Sequence, residues 1–336
     1  MTQLLRALWL LVGIAALGWL CARFGLADVG AALNRVNLVD AGIYVCAAVA
    51  VLLGYSVRWQ LVLRAMGARL PLGRLVAARL AGDAVGALVP GGKVGGDPVR
   101  VALIVGNQVT GVRASAGVAI DRVLELIGNC VCAIVCVSIF SLTRTVGTPQ
   151  GTPLLLLGTM VVPLLALVVI VCTLRAGRRP FTPLFESLAR AVPRVGGVLA
   201  VVRQTEDQLI EFFRDHPTAF VAGLLGSLLI ELVVIVEYHF LLAAFGMALD
   251  LPTLLMTVLA SGLSRVVPTP AGLGALEASE VTVLGLASGR PEVGFVVGMV
   301  MRLHETLWTT LGMLVLLVRG TSFARLRVLA ARKAAA

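Results

Sequence analysis

The sequence predicts an all-α polytopic membrane protein with six spanning helices plus two Pro/Gly-broken re-entrant hairpins in an inverted repeat. Three observations carry this prediction: the composition, the lengths of the apolar runs, and one motif order that occurs twice. Of the 336 residues, 59% are hydrophobic and 14% are charged, whereas an average soluble domain is about half apolar and about a quarter charged. This composition excludes a soluble Rossmann enzyme, a nucleic-acid-binding protein and a disulfide-stapled secreted domain.

The apolar runs predict the spanning helices, because a helix needs about 20 apolar residues to cross a bilayer. The clear runs lie at about 5–22, 40–57, 113–141, 153–174, 218–246 and 292–318. The first run follows Arg6 and resembles a signal peptide, but we interpret it as an uncleaved span. The chain 1–336 is therefore predicted to be a single transmembrane domain.

Two further apolar stretches, 73–110 and 252–289, are interrupted by proline and glycine. Backbone groups left unpaired at such breaks are tolerated only inside protein or beside a water-filled cavity. We therefore predict that each stretch is a hairpin that enters the membrane and returns to the same side. The residues predicted to form the breaks are Pro90, Gly91, Gly92, Gly95, Gly96, Pro268, Pro270, Gly272 and Gly274.

The distribution of Lys and Arg predicts the orientation. With the N-terminus inside, the segments on that side, 1–6, 58–113, 175–217 and 319–336, hold 21 of the 28 basic residues, the opposite segments hold 5, and Arg122 and Arg302 lie within spans. Such an excess is typical of cytoplasmic loops, so both termini are predicted to be cytoplasmic. The segment 175–217 is predicted to be a cytoplasmic linker, with an amphipathic interfacial helix over 198–213.

One motif order occurs twice, about 180 residues apart. Val89-Pro90 is followed by Asp97 and then Arg122-x-x-Glu125, and Val267-Pro268 is followed by Glu277 and then Arg302-x-x-Glu305. The chain crosses the membrane an odd number of times between the two copies. The halves, about 40–141 and 218–318, are therefore predicted to be inverted, as in many transporters. Chance similarity between Gly/Pro-rich apolar sequences is the alternative.

Charged side chains lie near the middle of two predicted spans, where each isolated charge costs about 2.5–3.5 kcal/mol on insertion scales. The residues are Asp121, Arg122 and Glu125 in one span, and Arg302, His304 and Glu305 in the last one. Arg and Glu at i and i+3 share a helix face. Two interpretations stay open: buried ion pairs that join the halves, or a polar lining for a charged headgroup or a proton relay. Asp121, Glu125, His304 and Glu305 are the candidates for proton coupling or ion pairing, with Glu231 and Glu237 weaker candidates.

The glycine-rich breaks also suit an anion, because exposed backbone N–H groups beside a basic residue bind phosphate. Lys93 and Arg100 flank the first break, and Asp97 is placed to orient one of them; Arg265 precedes the second. No cofactor and no metal site is predicted. The stretch Gly91–Gly96 lacks the Ser or Thr that a Walker A loop needs after its Lys, and the cysteines lie in apolar runs without neighbouring metal ligands.

These residues resemble a known family. The stretches Arg58-Trp59, Leu88–Arg100, Asp121–Glu125 and Val267–Glu277 resemble the lysylphosphatidylglycerol synthase transmembrane (flippase-like) family, which includes YbhN-like proteins and the membrane half of the multiple peptide resistance factor. The resemblance covers about 5–318. It implies an all-helical flippase domain with paired re-entrant hairpins, located in a bacterial inner membrane, that moves a lipid between leaflets. Since the chain ends at Ala336, no aminoacyl-transferring half is expected.

We therefore predict a non-enzymatic lipid flippase whose substrate carries an anionic or phosphate-bearing headgroup. The predicted substrate-binding residues are Arg58, Lys93, Asp97, Arg100, Arg122, Arg265, Glu277 and Arg302. The expected partners are membrane lipids, anionic or isoprenoid-phosphate-linked; a second copy of the chain or a lipid-synthesis enzyme stays open as a protein partner. Two other functions stay open: an enzyme or accessory subunit of lipid synthesis, with Asp97 or Glu277 as general base, and an ion-coupled transporter of a soluble anion.

Overall fold

The computed structural model describes residues 36–89, 93–106, 108–143, 152–191, 196–264, 274–288 and 291–318. Within these ranges the regular secondary structure is entirely α-helical. The helices are α1 (Leu38–Ala65), α2 (Leu72–Leu88), α3 (Lys93–Ile104), α4 (Gly111–Thr143), α5 (Thr152–Arg175), α6 (Thr182–Ala191), α7 (Gly196–Asp215), α8 (Pro217–Ala244), α9 (Leu251–Ser264), α10 (Ala275–Ser288) and α11 (Pro291–Val318).

Four described helices, α1, α4, α5 and α8, are long and apolar enough to cross a membrane. They occupy four of the six predicted runs. The predicted first span, 5–22, lies outside the described residues. The predicted last span is α11, whose 28 residues measure roughly 42 Å at about 1.5 Å per residue. Its length is sufficient, but charged residues interrupt its apolar sequence, and it does not belong to the four.

Apolar side chains cover the outer surface of these helices. Val49 and Leu53 on α1, and Leu225 and Leu229 on α8, are all well exposed. A soluble protein rarely exposes such continuous apolar surface, whereas a bilayer requires it. The helical composition and this surface together define a helical membrane protein.

Helices α1 and α8 run antiparallel and form the most extensive helix pair of the fold. The backbone N–H of Asn37 donates to the carbonyl of Ala244 at 2.9 Å. Further along, Arg58 contacts Ser227, so the partner number falls as the α1 number rises. Both helices also end in the same way: Gly67 and Gly246 adopt positive φ values of 78° and 71° in Schellman motifs, which satisfy the last carbonyls.

The remaining helix contacts occur in corresponding sets. In the first half, α2 packs on α3 and α3 packs on α4; in the second half, α9 packs on α10 and α10 packs on α11. Between the halves, α2 packs against α11, and α9 packs against α4. Exchanging α1–α4 with α8–α11 therefore maps each of these contacts onto another one that is present.

The glycines of the first hairpin correct one prediction. Gly95 and Gly96, predicted to lie in the break, lie within α3. A Cβ atom on Gly96 would lie 1.8 Å from the carbonyl oxygen of Gly82, so these glycines serve the close crossing of α2 and α3 rather than the turn. Gly274, with φ of 82°, lies directly before α10 as expected. The other predicted break residues, Pro90, Gly91, Gly92, Pro268, Pro270 and Gly272, lie outside the described residues.

The linker between the halves folds as α6 and α7. Helix α7 covers the stretch predicted to be amphipathic and buries Leu209, Phe212 and Phe213 against α4 and α5. Its buried Glu206 accepts hydrogen bonds from the backbone N–H groups of Phe181 and Thr182. This carboxylate therefore satisfies backbone donors at the start of α6, which otherwise lack a partner.

Candidate functional site

A network of buried arginines surrounds two carboxylates on α4. Asp121 is fully buried, and it accepts hydrogen bonds from Arg58 Nε at 2.9 Å, Arg79 Nη1 at 3.2 Å and Arg100 Nη2 at 2.6 Å. Glu125, one helical turn further, accepts from Arg79 Nη2 at 3.0 Å. We call these five residues the arginine network. They bring together α1, α2, α3 and α4.

Two aromatic rings and one hydroxyl complete the environment of this network. The guanidinium of Arg79 lies 4.1 Å from the ring centroid of Tyr55, and that of Arg100 lies 4.3 Å from the ring centroid of Trp59. Such contacts stabilise a desolvated cation. Arg58 Nη1 donates to Ser227 Oγ at 2.9 Å, which links the network to α8 in the other half.

An ion-pair triad adjoins the network and recurs in the second half. The first ion-pair triad is Asp97, Arg122 and Glu125, and the second is Glu277, Arg302 and Glu305. In both, the aspartate or glutamate lies on the second helix of a hairpin, and the Arg and Glu lie at i and i+3 on the next helix. Each triad therefore fastens a hairpin helix to the helix that follows it.

The two triads use the same donor atoms. Arg122 donates from Nε and Nη2 to the two Asp97 oxygens at 3.2 and 2.7 Å, and Arg302 donates from Nε and Nη2 to the two Glu277 oxygens at 2.8 and 3.1 Å. The remaining Nη1 lies 3.2 Å from Glu125 in the first triad and 2.9 Å from Glu305 in the second. Bidentate pairing of this kind gives both strength and a fixed geometry.

The second half adds a histidine contact between three long helices. Tyr44 Oη on α1 lies 2.6 Å from His304 Nδ1 on α11. His304 Nε2 lies 3.8 Å from Glu237 Oε1 on α8. On the neighbouring α10, buried Glu280 is hydrogen-bonded to Ser261 of α9. Polar side chains thus continue through the centre of this half as well.

The structure brings most of the predicted site residues together. Six of them meet around α4: Arg58, Asp97, Arg100, Asp121, Arg122 and Glu125. Glu277, Arg302 and Glu305 meet in the second triad, and His304 lies beside it on α11. Lys93 is the first residue of α3, and its side chain is not described. Arg265 lies outside the described residues.

Burial corrects the interpretation of three basic residues. The positive-inside count includes Arg58, Arg79 and Arg100 among the basic residues of the inside segment 58–113, but at most 3% of each is exposed. Arg64, Arg69 and Arg74 belong to the same basic segment, so the sequence alone does not separate the buried arginines from the others. Ion pairing explains the difference, because a buried arginine is tolerated when carboxylates compensate its charge.

Sequence reasoning missed Arg79 and Asp83 as members of the site. Arg79 Nε lies 3.5 Å from Asp83 Oδ2, one turn along α2. The available signal was an Arg and an Asp at i and i+4 inside an otherwise apolar stretch, because opposite charges at that spacing share a helix face. Ser227 carried no such signal, since a serine in an apolar helix usually bonds to its own backbone.

The charges within the arginine network and the first ion-pair triad, together with Asp83, balance. Four arginines, Arg58, Arg79, Arg100 and Arg122, face four carboxylates, Asp83, Asp97, Asp121 and Glu125. A balanced cluster avoids the large cost of an uncompensated buried charge. Among the described residues, no group of His, Cys, Asp and Glu is arranged to hold a metal ion.

The fold and this site define a helical membrane protein with a charged, ion-paired interior and two corresponding hairpins. The chain belongs to the family described as the lysylphosphatidylglycerol synthase TM region, whose model matches residues 6–321. Membership connects the protein with lipid synthesis or lipid flipping in membranes. Neither the curated proteins nor the solved structures contain a match to the chain.

Proposed function

We propose that this protein transports a lipid with an anionic or phosphate-bearing headgroup between the leaflets of the membrane, by alternating access of two inverted repeats. The observation that carries the proposal is the duplicated ion-pair triad. Asp97–Arg122 and Glu277–Arg302 are each 25 residues apart in the chain and pair through the same donor atoms. Family membership is consistent with this function.

The arrangement of the helices supports the inverted repeat. Helices α1 and α8 hold corresponding positions in the two halves and run antiparallel, as inversion requires. The contacts of α2 with α11 and of α9 with α4 correspond under exchange of the halves. In transporters of this kind, the two halves exchange conformations and expose one central site to alternate sides.

The arginine of each triad is proposed to recognise the lipid headgroup. When a hairpin helix moves away from the following helix, Arg122 or Arg302 loses its carboxylate partner. A phosphate then replaces the carboxylate, because a guanidinium pairs with both groups in bidentate fashion. The replacement keeps the buried arginine compensated, so the moving lipid substitutes for an internal ion pair instead of meeting a bare charge.

The proposal includes no chemical step. Asp97 and Glu277, which sequence reasoning kept as candidate general bases, each have both oxygens engaged by guanidinium donors. This engagement favours transport over catalysis. The protein is proposed to reside in a cell inner membrane, with the end of the bundle that carries the α1–α2 connection facing the cytoplasm.

Proton coupling is proposed for His304 and Glu305. His304 contacts Tyr44 of α1 and lies near Glu237 of α8, and Glu305 pairs with Arg302 of the second triad. Asp121 and Glu125 each pair with two or more arginines, so we assign them to structural ion pairing. We expect Glu305→Gln to remove the pH dependence of transport; an unchanged pH profile contradicts this role.

A flipping assay tests the proposed function. The purified protein is reconstituted in liposomes that contain fluorescent phosphatidylglycerol or phosphatidylcholine, and the outer leaflet is quenched chemically to follow movement. We expect movement of the anionic lipid, at least a 10-fold slower rate in Arg302→Gln, and an unchanged rate in the control Arg178→Gln. Arg178 is exposed on the loop after α5.

Other outcomes overturn the proposal in distinct ways. No movement of any anionic phospholipid, isoprenoid phosphate or glycolipid contradicts lipid transport. A covalently altered lipid, detected by mass spectrometry and dependent on Asp97 or Glu277, favours an enzyme of lipid synthesis. Uptake of a soluble anion without lipid movement favours an ion-coupled anion transporter.

A further inference from the structure

A basic groove lies at one end of the first half, away from the ion-pair triads. The loop between α1 and α2 and the connection between α3 and α4 meet there. Gln60 Nε2 donates to the carbonyl of Leu70 at 2.8 Å, and Arg74 Nε and Nη2 donate to the carbonyl of Leu103 at 3.3 and 3.1 Å. The ends of four helices therefore form one continuous surface.

Two adjoining cavities shape this groove. One has a volume of about 400 Å³ and the other about 550 Å³, and both are lined by Leu70 and Pro71. The first is also lined by Arg74, Ile104, Gly106, Gln108 and Val109, and the second by Arg64 and Arg69. Because they share two lining residues, the cavities form a single groove along the α1–α2 loop.

The groove combines cations with an apolar floor. Its described lining holds three arginines and no acidic residue. Leu70, Ile104 and Val109 are buried beneath them. Arg74 is oriented in advance, since Nε and Nη2 are already engaged by carbonyl oxygens at the end of α3, whereas Arg64 and Arg69 are exposed to an incoming ligand.

The face of α1 below the groove indicates that an anion bound there belongs to a membrane lipid and not to a soluble ligand. Leu53 and Val57 are exposed apolar residues on this face, with 41% and 48% exposure. Arg64 follows Val57 by seven residues, which is about two helical turns and returns to the same side of the helix. A ligand held by Arg64 therefore lies directly above an apolar, membrane-facing surface, as the headgroup of a lipid does.

We propose that this groove binds the phosphate-bearing headgroup of an anionic membrane lipid, with the acyl chains along the exposed face of α1. Guanidinium groups suit phosphate through bidentate pairing, and clusters of basic residues at a membrane surface recognise anionic headgroups. The site is separate from the two triads. It holds whether or not the bound lipid is the transported one.

Lipid titration followed by native mass spectrometry tests the proposal. The full chain in detergent is titrated with short-chain phosphatidylglycerol, and with phosphatidylcholine for comparison. We expect tighter binding of phosphatidylglycerol, and about 10- to 30-fold weaker binding in the double variant Arg64→Gln/Arg69→Gln, since each basic residue near an anionic surface contributes about 1 kcal/mol. Arg74 stays in place in this variant, because its contacts also hold α3.

The matched control is Arg175→Gln/Arg178→Gln. It removes two exposed arginines at the end of α5, outside the groove, and we expect less than a 3-fold change. An equal loss in both double variants overturns the site, because it indicates general surface charge. Equal binding of phosphatidylcholine also overturns it, and so does displacement by inorganic phosphate alone, which indicates a soluble ligand. Failure of the flipping assay leaves these results unaffected.

Discussion

Each half of this protein contains an ion-pair triad of the same geometry, but the residues that surround the triad differ between the halves. In the first half, the triad adjoins the arginine network on α4. The positions 180 residues after Arg58, Arg79 and Arg100 hold Tyr238, Leu259 and Glu280. In the second half, the triad also joins a hairpin to the next helix, but the three arginines of the arginine network have no counterparts there.

The formal charges of the halves differ in the same sense. Residues 40–141 contain nine Lys and Arg against five Asp and Glu, whereas 218–318 contain three against seven. The proposed inversion accounts for part of this difference, because it would place the loops of the two halves on opposite sides of the membrane, where the content of Lys and Arg differs. The buried residues differ as well, since Asp121, which binds three arginines, corresponds to Met301.

This difference suggests that the triads and the arginine network have different roles. A feature present in both halves meets a requirement of both, and the triads fit the proposed exchange of partners. A feature present in one half only, such as the arginine network, meets a requirement that the two halves do not share. We infer that the arginine network would hold the first half together during the proposed transport cycle, while the second hairpin would move more readily. Variants at corresponding positions of the two halves test this inference.

The largest effect is expected from Asp121→Asn. The change removes the charge that compensates three buried arginines, and breaking a buried ion pair from one side costs about 3–5 kcal/mol. We expect a large fall in the melting temperature of the detergent-purified protein, measured by loss of the monodisperse peak on size exclusion after heating. Met301→Leu at the corresponding position preserves an apolar side chain of similar volume, and we expect a small effect.

A variant at the protein surface serves as a control, because it removes one carboxylate charge without disturbing the arginine network. Asp215 pairs with Arg214, and both side chains are well exposed, at 44% and 63%. Exposed ion pairs contribute little to stability, so we expect Asp215→Asn to leave the melting temperature unchanged. If Asp121→Asn behaves like Asp215→Asn, the arginine network does not brace the first half.

The second-largest loss of stability is expected from a variant at the crossing of α2 and α3. A Cβ on Gly96 would lie 1.8 Å from a backbone oxygen of Gly82, so Gly96→Ala forces α2 and α3 apart. Overpacking of this kind costs about 1–3 kcal/mol, and the expected result is a lower melting temperature. Gly262 corresponds to Gly82, and a Cβ atom added to it would meet no atom of the described residues within 4 Å.

Gly96 itself corresponds to Leu276, so the comparison in the second half uses Gly262→Ala, which alters the counterpart of Gly82 on the other side of the crossing. Alanine favours a helix over glycine by up to about 1 kcal/mol, so we expect an unchanged or slightly higher melting temperature. Similar losses in both variants contradict the view that only the first hairpin crosses tightly. Slower transport in Gly262→Ala without a loss of stability supports motion of the second hairpin.

The sequence was sufficient to predict the helical membrane class, the family and the i, i+3 spacing of the pairs Arg122–Glu125 and Arg302–Glu305, but not that Asp97 and Glu277 pair with these arginines. Hydrophobic runs, charge at mid-span and the i, i+3 spacing are local signals, and they were available for Arg122, Glu125, Arg302 and Glu305. The partners of Asp121 were not predictable in this way. Arg58 and Arg79 reach it from other helices, and their place in the chain is equally typical of a basic loop.

The role of Gly95 and Gly96 was also beyond the sequence pattern. Glycine marks a turn and a close helix crossing alike, since both exploit the missing Cβ atom. Only the position of Gly82, on a different helix, distinguishes the two. Long-range packing therefore decided the points where local reasoning failed, whereas charge and hydropathy patterns sufficed elsewhere.

The smallest changes in stability are expected from two single variants, Asp97→Glu and Glu277→Asp, each of which gives one triad the acidic residue of the other. Asp97 is 16% exposed as a side chain, so the added methylene has room, and we expect little change in stability. Glu277 is fully buried, and its Oε2 accepts from both Arg302 and the backbone N–H of Gly274. The shorter aspartate cannot reach both donors.

Glu277→Asp therefore loosens the start of α10 and the second triad together, because Glu277 also caps the helix in the manner of a capping box. Losing one such hydrogen bond costs about 1 kcal/mol. We expect a modest fall in melting temperature and a clear change in the flipping rate, against neither in Asp97→Glu. If Asp97→Glu slows flipping as much as Glu277→Asp does, the two triads contribute equally to motion, and the proposed division between a braced half and a moving half is wrong.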